Sequence, residues 1–190
     1  MIQIETKRLI LRQPRKSDWK DLVEGAGEYD IAKMTTGMPH PYKKKDAVDW
    51  INKHVKNWGK KSCPFLIELK SEKKVIGCID IHHLDRFSGV AMTGSWINKK
   101  YWRNDFITEA KIVANDFAFN KLKLRKLKSE ISKGNIASIL TQKKIGYRLE
   151  GVLRKEKRNK LTGKIHDQNL YGLLKEDWKK ARTKLIKQFS

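Results

Sequence analysis

At 190 residues the chain is long enough to bury a core of its own and reads as one domain over residues 1–190. Apolar residues make up 39% and charged residues 34%, which excludes a disordered chain, and no apolar run approaches the roughly 18 residues of a membrane span. The 43 Lys/Arg against 21 Asp/Glu leave +22, either a field for polyanions such as RNA, a ribosomal surface or an anionic cofactor, or simply Lys on every solvated face.

The opening Met1–Glu5 has neither the basic flank nor the apolar core of a signal peptide. Cys63 and Cys78 have no metal spacing and read as reduced, partly buried thiols, so the expected location is the cytoplasm and no metal is expected. Residues 3–12 alternate, Ile4, Leu9, Ile10 and Leu11 against Thr6, Lys7, Arg8 and Arg12, and predict one strand ended by Pro14. Ser17 is placed as the N-cap of a helix through Val23. Gly37–Tyr42 is a turn-rich loop, with His40 part of it. Asp46–Trp58 is an amphipathic helix closed by Gly59.

Strands Phe65–Leu69 and Val75–His82 flank the hairpin loop Lys70–Lys74, and a third strand spans Val90–Ile97. The chain then turns through Asn98-Lys99-Lys100 and enters a helix near Asp105, with Phe106, Ala110, Val113, Ala114 and Phe117 at helical spacing. A short strand Leu127–Ile131 and a helix Asn135–Lys144 stopped by Gly146 follow. Strands Tyr147–Leu153 and Lys164–Leu174 are joined by the polar Lys155–Gly163, whose basic Lys155–Lys160 part reads as an exposed hairpin loop. A helix, about Glu176–Lys187, comes last. This order predicts an α+β or α/β domain with a mostly antiparallel sheet.

The joints resemble the GNAT acyltransferase superfamily, in its RimJ/RimL-like branch. The residues that carry the likeness are Glu5–Arg12, Val75-Ile76-Gly77, Gly94–Asn98 leading to Tyr101-Trp102, Thr108-Glu109-Ala110, Asn135–Ser138 and Gly146–Arg154. The resemblance implies a GNAT fold: a mixed, mostly antiparallel sheet with a central parallel pair that splays, flanked by helices. It also implies acetyl transfer from acetyl-CoA to a primary amine, by direct attack. The acceptor would be a protein N-terminus, for instance of a ribosomal protein, or a small-molecule amine, and the chain a monomer or homodimer.

On this likeness the pantetheine arm lies between Val90–Ile97 and Leu127–Ile131. The diphosphate is held by backbone at Arg103, Asn104, Asp105, Phe106, Ile107 and Thr108. Backbone near Ile97 polarises the thioester carbonyl, Asn135 contacts the pantetheine, and Ser138 protonates the departing thiolate. Bases considered for the ammonium are His83 or its neighbour His82, and Glu109, which alternatively locks its helix to a strand. His166 and Asp167 are read as a hydrogen-bonded pair.

The chain departs from the family pattern Gln/Arg-x-x-Gly-x-Gly/Ala. Asp105 stands at the Gly and Ile107 at the small residue; Gln142, Lys143 and Met92 stand where Tyr, Glu and Glu are common in relatives. A carboxylate there opposes a diphosphate by roughly 3–4 kcal/mol before screening. Asp105 is also expected to be able to cap its own helix and occupy the amides. Two readings stay open: an acetyltransferase with acetyl-CoA binding kept by Arg103 and nearby Lys, or a non-catalytic module docking on RNA or ribosomes through its basic surface.

Overall fold

The computed structural model describes residues 2–35 and 37–189. Strands Gln3–Glu5 (β1), Leu9–Arg12 (β2), Ser62–Leu69 (β3), Lys74–Asp85 (β4), Val90–Ile97 (β5), Lys126–Ser132 (β6), Arg148–Arg158 (β7) and Ile165–Leu174 (β8) form one sheet. Its order is β1-β2-β3-β4-β5-β6-β8-β7. Every pairing is antiparallel except β5 with β6. This is the mixed sheet with a central parallel pair that the sequence led us to expect. The helices are Trp19–Ala26 (α1), Tyr29–Met34 (α2), Lys44–Asn57 (α3), Phe106–Asp116 (α4), Ile136–Ile145 (α5) and Lys175–Phe189 (α6). Among the described residues no helix is long and apolar enough to cross a membrane.

Alternation along the strands splits the core in two. Phe65, Ile67, Ile79 and Ile81 pack with Phe117, Trp178 and Leu185 from the side of α4 and α6. Their neighbours Leu66 and Cys78 pack with Leu22 and Ala26 of α1 and with Ala47 and Ile51 of α3. α1 approaches β5 closely: a Cβ on Gly25 would lie 2.9 Å from the Trp96 ring.

Several boundaries differ from the sequence expectation. Residues 3–12 are not one strand but the hairpin β1–β2, because Thr6 turns the chain: its N–H donates to Leu9 C=O (2.9 Å) and its hydroxyl accepts from Leu9 N–H (2.9 Å). Ser17 does not cap a helix; it lies in a short 3-10 turn, Lys16–Asp18, in which the Asp18 carboxylate accepts from Arg15 N–H (2.6 Å). α2 was not foreseen, its six residues being too few to show a period. α3 starts two residues before Asp46, whose carboxylate accepts from Lys43 N–H (2.8 Å). Lys155–Arg158 are strand, not loop, since β7 pairs with β8 out to Arg158↔Ile165.

Candidate active site

A parallel pair that parts early opens the sheet. β5 and β6 pair over three positions only, Val90↔Lys126, Ala91↔Leu127 and Met92↔Lys128. Beyond them β5 stays bound to β4 as far as Ile97, and β6 stays bound to β8 as far as Ser132. Each arm of the V therefore belongs to a different half of the sheet. At the fork the Thr93 hydroxyl donates to Lys128 C=O (3.3 Å) and lies 3.2 Å from the Tyr147 hydroxyl. The opening is a cavity of about 490 Å³, with Gly94, Ser95 and Trp96 on one arm and Ser129–Ser132 on the other.

The turn after β5 leads to the start of α4. The Asn98 side chain accepts from Lys100 N–H (3.0 Å), and Trp102 Nε1 donates to Ile97 C=O (2.8 Å). Ile97 itself is buried and does not line the cavity. Arg103, Asn104 and Asp105 are exposed, and Arg103 (φ 63°) and Asp105 (φ 57°) are left-handed. Asp105 thus adopts the backbone that glycine favours. Its carboxylate does not take the helix amides, contrary to the capping expectation. It accepts instead from Thr108 Oγ1 (3.3 Å) and Lys144 Nζ (3.0 Å). The first bond of α4 runs from Glu109 N–H to Asp105 C=O (3.0 Å), so the amides of Phe106, Ile107 and Thr108 precede any helical acceptor. Such a set of N–H groups, at the positive end of the helix dipole, fits a diphosphate.

Glu109 is not in the cavity. Its carboxylate is buried and accepts from Thr6 Oγ1 (2.6 Å), Arg8 N–H (3.1 Å) and Arg8 Nε (2.7 Å). Arg8 also donates to Asn104 C=O (3.0 Å) and lies over the Phe106 ring at 4.3 Å. Glu109 therefore ties the β1–β2 hairpin to the turn and has no path to a substrate proton.

The opposite wall comes from α5. Asn135 caps it, accepting from Ser138 N–H (3.2 Å), and Asn135, Ser138 and Gln142 all line the cavity. Gln142 donates to Ser129 Oγ (2.9 Å) and accepts from Lys111 Nζ (3.4 Å). Burial pushes the Lys111 ammonium down to about 8.

On β4 the two histidines face different ways. A bulge between His82 and Asp85 puts His83 at φ 49° and turns its ring outward, so His83 is exposed and off the cavity. His82 lines it, joined to His83 by an Nδ1–Nδ1 hydrogen bond of 2.6 Å. Burial, then the nearby His83, push His82 down to about 4, so its ring is neutral. Two residues back, Asp80 also faces the cavity, one of its oxygens buried and without a hydrogen-bond partner. Burial pushes this carboxyl up to about 7. The register explains its isolation: its cross-strand neighbours are Pro64 on β3 and Gly94 on β5, neither with a polar side chain. Asp80 is the residue missed from sequence; an acid within the apolar run Val75–Ile81 was the available signal.

Asp167 is not paired with His166; it accepts from Lys155 N–H (2.9 Å) and Lys133 Nζ (3.0 Å). Among the described residues no three His, Cys, Asp or Glu side chains gather as a metal site.

Residues 8–148 match the model of the acetyltransferase (GNAT) domain. The chain is 27% identical over 181 residues to the uncharacterised N-acetyltransferase YnaD of Bacillus subtilis, covering 93% of this chain and 99% of that protein. It superposes on a GNAT-family acetyltransferase from Bacillus anthracis with a TM-score of 0.79 at 24% identity, covering 92% and 99% of the two chains. For RimJ of Mycobacterium smegmatis, solved with CoA-disulfide, the TM-score is 0.84 at 19% identity, covering 95% and 88%.

Proposed function

The chain belongs to the GNAT acetyltransferases, which use acetyl-CoA, and we propose that it acetylates a primary amine by direct attack, with Asp80 receiving the proton. The observation that carries this is Asp80, whose carboxyl on the wall of the opening between β5 and β6 has one oxygen, Oδ1, buried and without a hydrogen-bond partner.

The free amides of Phe106, Ile107 and Thr108 are suited to the diphosphate, with Arg103 and Asn104 beside them. Asn135 and the inner edge of β5, Gly94 to Trp96, suit the pantetheine arm. Asp80, held near neutral pH by burial, is ionised often enough to accept a proton and protonated often enough to lose it again. It takes one proton from the ammonium, leaving a lone pair on nitrogen. That nitrogen bonds to the thioester carbonyl carbon as the C–S bond breaks, Ser138 on the opposite wall gives its hydroxyl proton to the sulfur, and the second proton that the nitrogen sheds to become the amide restores the Ser138 hydroxyl through solvent. The Asp80 proton leaves to solvent, which resets the site. Neutral His82, on the same strand face, is available to accept a hydrogen bond from the ammonium. Backbone amides at the β5 arm serve the developing oxyanion.

We place the reaction in the cytoplasm, in keeping with two free, buried thiols, Cys63 and Cys78. The acceptor is a small-molecule amine or a polypeptide N-terminus, the latter in keeping with the fold's likeness to a ribosomal-protein-S5-alanine acetyltransferase. Calorimetric titration with acetyl-CoA, followed by amine-dependent release of free CoA thiol, tests the proposal. Silence at millimolar acetyl-CoA, with salt-sensitive RNA binding retained, would replace it by the non-catalytic reading.

A further inference from the structure

We propose that the acceptor side of the cavity selects an amine carried on an uncharged apolar body, so that the substrate class is small alkyl or arylalkyl monoamines. This rests on the acetyltransferase reading and narrows its acceptor.

The first argument is charge segregation. The chain has 43 Lys and Arg, yet among the described residues none lines the cavity, whose acids are Asp80 and Glu130. An acceptor bearing a carboxylate or phosphate would bring that anion against the Asp80 side of the wall, which offers it no cation, Lys157 being engaged by Glu130 on the other arm. Amino acids and nucleotide-linked amines are disfavoured on this ground.

The second argument is the number of carboxylates. Glu130 stands on the β6 arm with Lys157 Nζ at 3.5 Å. On the β4 side Asp80 is alone, because Pro64 and Gly94 occupy the flanking register positions. One ammonium finds a partner there; a second, as in a polyamine, meets only Glu130, which already faces Lys157, inside a molecule of net charge +22.

The third argument is the wall around Asp80. Leu22, Met38, Tyr42, Trp50 and Trp96 line it. Trp50 is stacked on His54 with centroids 4.3 Å apart, and Trp96 is wedged against Gly25, so both rings are held in place. The whole opening, about 490 Å³, must also take the acyl arm, which leaves room for a small body. A polypeptide N-terminus would set amide groups against Leu22, Met38, Trp50 and Trp96, which offer them no acceptor, while the cavity's Ser129, Ser132, Asn135, Ser138 and Gln142 stand on the β6 and α5 side.

The test is a panel assayed by free-CoA release: 2-phenylethylamine, L-phenylalanine, spermidine and a phenylalanine-headed peptide amide. Phenylalanine is phenylethylamine with one carboxylate added, so the pair isolates the charge. We expect kcat/KM for phenylethylamine to exceed that for phenylalanine and spermidine by about 100-fold. Trp50→Ala should raise the KM for phenylethylamine about tenfold while acetyl-CoA affinity by calorimetry is unchanged. Met34→Arg, at an exposed position on the cavity rim, should narrow the phenylethylamine-to-phenylalanine ratio. Phenylalanine or spermidine used as well as phenylethylamine overturns the inference, and so does a preference for the peptide amide. Acetyl-CoA binding without turnover of any amine also overturns it, while leaving the cofactor half of the earlier reading intact. Failure to bind acetyl-CoA overturns that earlier reading instead.

Discussion

Replacing Asp80 with Asn should make the protein more stable and almost inactive. The folded carboxyl sits at about 7 against an ordinary 3.8, so the folded state binds its proton more tightly than the unfolded chain does. Protonation therefore favours folding, and this contribution falls away as pH climbs from about 4 to about 7. Above that window the ionised, buried group costs up to about 4 kcal/mol, at ~1.4 kcal/mol for each of roughly three pK units. An Asn amide in the same place lacks partners too and costs about 1–3 kcal/mol. The net gain at pH 8 is then about 1–3 kcal/mol, or roughly 3–9 °C in Tm for a chain of this size. At pH 4 the gain should vanish or reverse. Turnover should fall at least about 100-fold, the ordinary contribution of a positioned base. Thermal melts of both proteins from pH 4 to 8, beside amine-dependent CoA release, measure all of this. Asp80→Asn that melts lower than the parent at pH 8, or that keeps full turnover, refutes the argument.

Lys111 is the cationic counterpart. It is lowered to about 8 from an ordinary 10.5 by burial alone, so its cost is greatest below pH 8 and is relieved as pH rises toward 10.5. Lys111→Met should raise the denaturation free energy by about 3 kcal/mol at pH 7 and by little near pH 10, read from urea midpoints. Asp105→Gly removes a half-exposed carboxylate from beside the α4 amides and suits the left-handed backbone there. It should tighten acetyl-CoA binding about fivefold at low salt, and weaker binding by calorimetry would contradict the repulsion argument. Ser138→Ala should lower kcat about tenfold or more with acetyl-CoA affinity nearly unchanged, and equal loss in both would make Ser138 a binding residue.

Periodicity and punctuation made much of the architecture legible. The bounds of β5, the apolar face of α4 and the Gly146 that stops α5 all follow from residues within a few positions of one another. The resemblance at the joints pointed to the opening between β5 and β6 as well. The β1–β2 hairpin was not legible, because the carboxylate that holds Thr6 and Arg8 is Glu109, about a hundred positions away.

The sequence by itself determined most of the elements, from β3 to α6, and their order, since these depend on local hydrogen bonds and on which face of a helix or strand is apolar. Only the tertiary structure decided which acid and which histidine meet the cavity. A bulge turns His83 out and leaves His82 in, and a register that sets Asp80 between Pro64 and Gly94 leaves one of its carboxylate oxygens buried and without a hydrogen-bond partner. Register and burial are set by segments far apart in the chain, and the cost of an unpaired charge exists only once those segments have closed around it.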